Sequence, residues 1–147
     1  MGLGWRTIPD DMRAFIEAQK LFFVATAPQD GRVNLSPKGL DTLRVLDERT
    51  VTYLDLTGSG NETAAHVTEN GRMTMMFCAF SGKAMTLRLY GKADLIRPDH
   101  PEWATLRAPY PDLPVCASSS GSMSRAWRPP AAGASLSSAT CRSATSW

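Results

Sequence analysis

Residues 21–39 read LFFVATAPQDGRVNLSPKG. Leu21 to Ala27 form an apolar run rich in β-formers, and residues 28–32, Pro-Gln-Asp-Gly-Arg, carry a turn's Asp-Gly pair. Val33 to Pro37 then alternate apolar and polar until the proline breaks the pattern. Two strands joined by a tight turn predict an antiparallel hairpin rather than a strand feeding a crossover helix. The same pattern continues on the C-terminal side. Residues 42–56 read as two more strands around the polar turn Asp47-Glu48-Arg49-Thr50, with Val51, Tyr53 and Asp55 on one face and Thr52, Leu54 and Leu56 on the other. Residues 72–80 are nearly all apolar and predict a strand covered on both faces. After Ser81-Gly82, Met85, Leu87, Leu89, Gly91, Ala93 and Leu95 alternate with Thr86, Arg88, Tyr90, Lys92 and Asp94, the longest period-two pattern in the chain.

Six strands with few helices between them argue for a mostly β fold, an antiparallel sheet or barrel, and against a doubly wound parallel sheet. Gly58-Ser59-Gly60 is too short for a dinucleotide fingerprint. Three short helices are expected. One follows Pro9, capped by Asp10 or Asp11, with Met12, Phe15 and Ile16 on one face. A second spans about 60–69, where Ser59 and Glu62 have capping-box spacing and Asn70-Gly71 supplies the stop. The third covers 98–106.

The 147 residues suit one domain, and 43% hydrophobic with 20% charged residues is ordinary globular composition. Net charge is +2, but the first 113 residues balance 13 Lys/Arg against 14 Asp/Glu. The basic excess belongs to residues 114–147, where 17 of 34 are Ser or Ala and no Asp, Glu or Lys occurs. That tract has no hydrophobic period and predicts a disordered tail behind a domain over 1–113. Its composition is what a shifted reading frame in a GC-rich coding sequence produces, an expectation that resequencing the locus checks. No run approaches the ~20 apolar residues of a membrane span, and the N-terminus lacks a signal pattern, so a soluble, cytoplasmic protein without a membrane partner is expected. Cys78, Cys116 and Cys141 have neither zinc nor disulfide spacing, and no metal site is expected; Cys78, within an apolar run, reads as a buried thiol.

Chemistry concentrates in two places. Ser36, Pro37 and Lys38 end a strand, and Ser59, Asn61 and Thr63 stand at a helix N-terminus, where backbone N–H groups, hydroxyls and the positive dipole end suit a phosphate. Read locally, the same residues also suit an ordinary strand end, a solvated lysine and a helix cap. No nucleophile constellation accompanies them: the only histidines are His66, on the predicted helix, and His100. The catalytic residues are therefore unknown, and any redox catalysis would be a cofactor's.

Taken in order, residues 22–39, RVLDERTVTYLD (44–55), GNETAAH (60–66), ENGRMTMMF (69–77) and LYGKADLI (89–96) resemble the pyridoxamine 5′-phosphate oxidase family of FMN-binding split barrels. The resemblance implies a six-stranded antiparallel split β-barrel that pairs as a homodimer, with FMN in a groove between subunits and an unknown small-molecule substrate. Ser36, Pro37 and Lys38 would line the flavin and its phosphate, Tyr53 matches an aromatic on the next binding strand, and Thr86 falls where the oxidase proper has a glutamine near the cofactor. The oxidase proper also has an Arg-Lys pair at the helix start, where this chain has Glu62 and Thr63. The phosphate grip would then rest on Lys38 with the amides and hydroxyls of Ser59 to Thr63. Relatives continue past residue 106 with a further strand, whereas this chain enters the Ser/Ala tract. The expected function is that of an FMN-dependent oxidoreductase, with a deazaflavin- or haem-binding barrel and a truncated, non-catalytic barrel as alternatives. A nucleic-acid-binding barrel would need basic residues interleaved with exposed aromatics, and only Arg88, Tyr90 and Lys92 approach that.

Overall fold

The computed structural model of the chain describes residues 4–56, 61–111, 122–128 and 136–139. In order they form β1 (Gly4–Trp5), α1 (Asp10–Ala18), β2 (Phe22–Thr26), β3 (Asn34–Lys38), β4 (Leu43–Asp47), β5 (Thr50–Asp55), α2 (Glu62–Asn70), β6 (Arg72–Cys78), β7 (Thr86–Ile96), α3 (Trp103–Arg107), β8 (Ser122–Arg128) and β9 (Leu136–Ala139). The six strands anticipated from the sequence are β2 to β7. Their arrangement is the split-barrel one: a single antiparallel sheet in the order β3-β2-β6-β7-β8-β5-β4, with β9 on β7 and β1 on β9. The path ends at β3 and β4, which follow one another in sequence. They have no ladder between them among the described residues, so a seam divides the barrel there.

The sequence stops short of this topology at one place. Residues 122–128 and 136–139 fall in the tract expected to be a tail without structure, yet both are strands. β8 pairs with β5 from Val51↔Ala126 to Asp55↔Ser122 and with β7 from Lys92↔Arg128 to Ile96↔Met123. It joins β4-β5 to the other four expected strands and takes the place of the strand thought to be missing. Backbone N–H and C=O groups complete a ladder whatever their side chains, so a Ser/Ala tract without period can still close a sheet.

The main core lies between α1 and the inner sheet face, built from Ile16, Phe22, Val24, Tyr53, Met75, Phe77, Leu87 and Leu89 among others. Phe22 stacks on Phe77 and meets Tyr53 edge-on, each at 5.8 Å between ring centroids. β6 departs from the two-sided burial expected: Met73, Met75 and Phe77 are buried, while Thr74, Met76 and Cys78 on the outer face are only half-buried. Among the described residues that face stays partly exposed. β7 alternates as expected through Leu89, but its register slips opposite β8 between Lys92 and Ala93. Alternation nonetheless carries on, with Ala93 and Leu95 against the main core, and Ile96 on the opposite face joins a second, smaller cluster with Leu54 and Tyr110. β5 is buried on both sides because it lies between the two clusters.

Helix ends differ in detail from the sequence expectations. Pro9 is the N-cap of α1, and Asp11, inside the first turn, accepts from Met12 N–H at 3.0 Å. α2 starts at Glu62, with Asn61 as its N-cap at φ 45°, rather than on a box built from Ser59. Residues 57–60, including Ser59, lie outside the described residues. Gly71 ends α2 at φ 68°, as expected, and a Cβ there would come within 3.2 Å of the Ala93 carbonyl oxygen.

The second cluster contains one polar link. The hydroxyls of Thr52 and Tyr110 are 2.6 Å apart, and the Arg44 guanidinium lies 4.9 Å from the Tyr110 ring centroid. Burial pushes the Tyr110 phenol up from 10.0 to about 12, outweighing the lowering effects of the Thr52 hydrogen bond and the Arg44 charge. A raised pKa means that the fold favours the protonated phenol. This contribution to stability is complete below about pH 10 and is lost as pH rises through about 12. Ultraviolet titration should show a late phenol absent from Tyr110→Phe, and that variant should lose ~1–2 kcal/mol in denaturant unfolding, because the Thr52 hydroxyl is left unpaired. Loss of stability without removal of the late phenol would contradict the assignment.

Candidate functional site

β3 is an edge strand, and its pleat sorts the predicted site residues. Asn34, Ser36 and Lys38 share one face, while Leu35 and Pro37 point the other way and are exposed. Opposite the first face stand the end of β5 and the start of α2. Asn34, Ser36, Lys38, Asp55, Leu56, Asn61, Glu62 and Thr63 enclose a cleft of about 80 Å³. Within it Lys38 Nζ donates to Asp55 Oδ1 at 2.7 Å, and the two side chains retain only 19% and 7% of their exposure. Asn34 Nδ2 donates to Thr63 Oγ1 at 3.0 Å, which fixes the amide and ties β3 to α2. Ser36 Oγ is buried and has no hydrogen-bond partner among the described residues. An unsatisfied buried hydroxyl beside an ammonium and a helix N-terminus offers donors to an acceptor-rich group.

Of the residues singled out from the sequence, Ser36, Lys38, Asn61 and Thr63 meet in this cleft. Tyr53 stands behind it, fully buried, with its ring centroid 6.0 Å from Lys38 Nζ. Pro37 faces away. Thr86 starts β7, and β2 and β6 separate it from β3, about 14 Å at the ordinary strand spacing. His66 is half-buried, its Nδ1 3.0 Å from Thr26 Oγ1. Asn34 and Asp55 were not anticipated. Asn34 was legible from its place two residues before Ser36 and four before Lys38 on an alternating strand. Asp55 was not, since nothing local says that the end of β5 faces β3.

A larger cavity lies elsewhere. About 750 Å³ opens between α1, the start of β2, the 39–42 loop and β4, floored by Ile16, Phe22 and Val45. Its size is that of a small-molecule pocket, but two of its cations are occupied within the protein. Arg13 donates to Glu17 and to the Val45 carbonyl, and Arg44 makes a two-pronged pair with Asp41. That pair, which holds the Asp41 carboxyl below its ordinary range, supports a loop in which Leu40 and Asp41 both have positive φ, 60° and 57°. The small cleft has the convergent, unsatisfied polar groups and is the stronger candidate for anchoring a ligand.

The family model for pyridoxamine 5′-phosphate oxidase matches residues 8–125. The chain belongs to that family. Among curated proteins, the pyridoxamine 5′-phosphate oxidase family protein ustO of Aspergillus flavus is 41% identical over 107 residues, which are 71% of this chain and 43% of that protein. The chain thus spans less than half the length of this family relative. Among solved structures, a pyridoxamine 5′-phosphate oxidase candidate from Lactobacillus delbrueckii aligns at 17% identity and TM-score 0.66, covering 86% of this chain and 95% of the other. HutZ, a haem storage protein from Vibrio cholerae, aligns at 14% identity and TM-score 0.62, covering 87% and 94%. At these identities the structural matches establish the shared fold. Among the described residues no helix is long and apolar enough to cross a membrane, and no three potential metal ligands cluster.

The donor set fits the phosphate end of a flavin in part. Lys38, Ser36 and the first N–H groups of α2 suit it, whereas Asp55 and Glu62 oppose it. The cleft's 80 Å³ is far below the ~300 Å³ at which ligand pockets begin, so a ring system would lie outside it. The Lys38–Asp55 pair is testable on its own. A double-mutant cycle with Lys38→Met and Asp55→Asn should show a coupling of ~1–3 kcal/mol in unfolding free energy, between the values for exposed and buried pairs; additive effects would mean that the pair is not formed in solution.

Proposed function

We propose that this protein is a flavin-dependent oxidoreductase that works as a homodimer, holding the FMN phosphate in the cleft at Lys38 and acting on a small-molecule substrate. The observation that carries this reading is the convergence of Lys38, the unsatisfied Ser36 hydroxyl and the N-terminus of α2 on one cleft, in a member of the pyridoxamine 5′-phosphate oxidase family. FMN, when bound, supplies the two-electron chemistry. The chain's own residues bind and orient. Lys38 contributes charge, Ser36 a hydroxyl donor, and the first N–H groups of α2 donors without intrahelical acceptors. The Asn34–Thr63 bond keeps β3 and α2 at a fixed separation. Absorbance of the purified chain in the near-ultraviolet and blue should show flavin, added FMN should lose fluorescence and raise Tm, and Lys38→Ala should weaken FMN at least tenfold while changing riboflavin little. No bound flavin, no quenching and no rise in Tm would sink the reading; a Soret band would assign haem instead.

The outer sheet face supports the homodimer. Strand pairing sets Leu35, Ala25, Thr74 and Tyr90 in one row and Pro37, Phe23, Met76 and Arg88 in the next. Val33 is 71% and Leu35 60% exposed, a run of apolar surface on an edge strand that monomers seldom leave open. A second copy covering this face would also place β7, and with it Thr86, against another subunit. Sedimentation should give a dimer for the wild-type chain and a folded monomer for Leu35→Asp; a wild-type monomer would contradict the proposal.

A further inference from the structure

The cleft at Lys38 is built against the ligand proposed for it. Among the described residues its charged lining groups are the Lys38 ammonium from β3, the Asp55 carboxylate from β5 and the Glu62 carboxylate from α2. The rest of the lining, Asn34, Ser36, Asn61, Thr63 and Leu56, is neutral. The 2.7 Å contact is a charge-assisted hydrogen bond, and its partners are largely withdrawn from water, where salt screens little. An anion reaching Lys38 would also meet the Asp55 carboxylate a few ångströms away, in a partly buried site where like charges interact more strongly than in bulk water. Glu62 is exposed, and water weakens its effect.

We propose that Asp55 is an internal counter-ion that competes with anionic ligands for Lys38, so that binding an anion moves the ammonium from the carboxylate onto the ligand. Lys38 has three donors, and Ser36 Oγ has none of its capacity used among the described residues. Both can therefore turn to an incoming oxygen without leaving another protein group unpaired, except Asp55. The released carboxylate stays in the lining of the same cleft, which it shares with Glu62 of α2. Asp55 thus sets how tightly the cleft holds an anion, and because the pair bridges β3 and β5 it links occupancy to the closure of the seam. This inference rests on the flavin reading only for the identity of the anion.

The test uses the full chain with inorganic phosphate, FMN and riboflavin as probes, comparing wild type, Asp55→Asn and Glu62→Gln by thermal shift and fluorescence titration. Asp55→Asn keeps the size and shape of the side chain and should tighten both phosphate and FMN by about tenfold or more, leaving riboflavin unchanged. Glu62→Gln should change phosphate by less than about threefold, since its charge is screened. Should Asp55→Asn fold poorly, Asp55→Ser removes the same charge and serves in its place. Unchanged or weaker phosphate and FMN binding in the Asp55 variants would overturn the proposal, by showing that the carboxylate merely positions Lys38. If phosphate tightens but neither flavin binds any variant, the counter-ion role stands and the flavin reading fails. If FMN binds the wild-type chain and the Asp55 variants gain nothing, the flavin reading stands and the counter-ion role fails.

Discussion

One ion pair spans the place where the sheet is not hydrogen-bonded. β3 and β4 are the two edges of the path, and among the described residues no ladder between them holds the barrel closed. Lys38 reaches across this seam to Asp55 on β5, the strand next to the β4 edge, and Asn34 reaches from β3 to Thr63 on α2. Elsewhere around the sheet, closure is a property of repeated backbone bonds. At the seam it falls to these side chains and to the 39–42 loop, where Thr42 Oγ1 donates to the Gly39 carbonyl and Leu54 N–H to the Thr42 carbonyl. A split barrel in which the seam is held by side chains can respond there to a ligand, because side-chain pairs exchange partners more readily than ladders do.

This explains why the candidate site is small and polar although the roomier cavity under α1 is neither. The roughly 750 Å³ space under α1 is floored by core residues, and its arginines already serve a strained loop and a helix. The cleft at the seam has little volume but carries groups whose hydrogen-bonding capacity is unused or shared with one partner. The two spaces are neighbours through the core itself. Phe22, in the floor of the cavity, pairs across the ladder with Lys38, and Leu43 of the cavity wall pairs with Tyr53. Lys38 Nζ lies 6.0 Å from the Tyr53 ring centroid, which sets the Lys38–Asp55 contact beside the aromatic group of Phe22, Tyr53 and Phe77.

How much of this was legible in the sequence depends on whether the signal was local. The β2–β3 hairpin, the β4–β5 pair and the start of β7 show as period-two alternation with turn residues between, because half-burial on a pleated sheet writes that pattern directly. Gly71 announced the end of α2 by the same kind of local necessity. β8 was invisible because its place is specified by two backbone ladders, which ask little of Ser and Ala. β6 looked covered on both faces because Met76 and Cys78 are apolar, but they lie on the face that stays half-exposed among the described residues. Pro37 was grouped with its neighbours by adjacency, although the pleat turns it away from Ser36 and Lys38.

Asp55 is the instructive omission. In the sequence it ends a strand beside Leu54 and Leu56 and has no motif of its own. Its meaning comes from topology, since only a sheet that brings β5 round to face β3 makes it the partner of Lys38. Glu62 and Thr63 at the helix start therefore have a counterpart that local sequence does not reveal, since an acid is also seated on Lys38. In these terms Lys38 is a charge held in reserve by Asp55, and a ligand's hold on it depends on how completely it replaces that carboxylate. The proline that ends VNLSP does not end the strand: Lys38 follows it as the last residue of β3 and pairs with Phe22, so the ladder fixes the lysine's place while its side chain bonds across the seam.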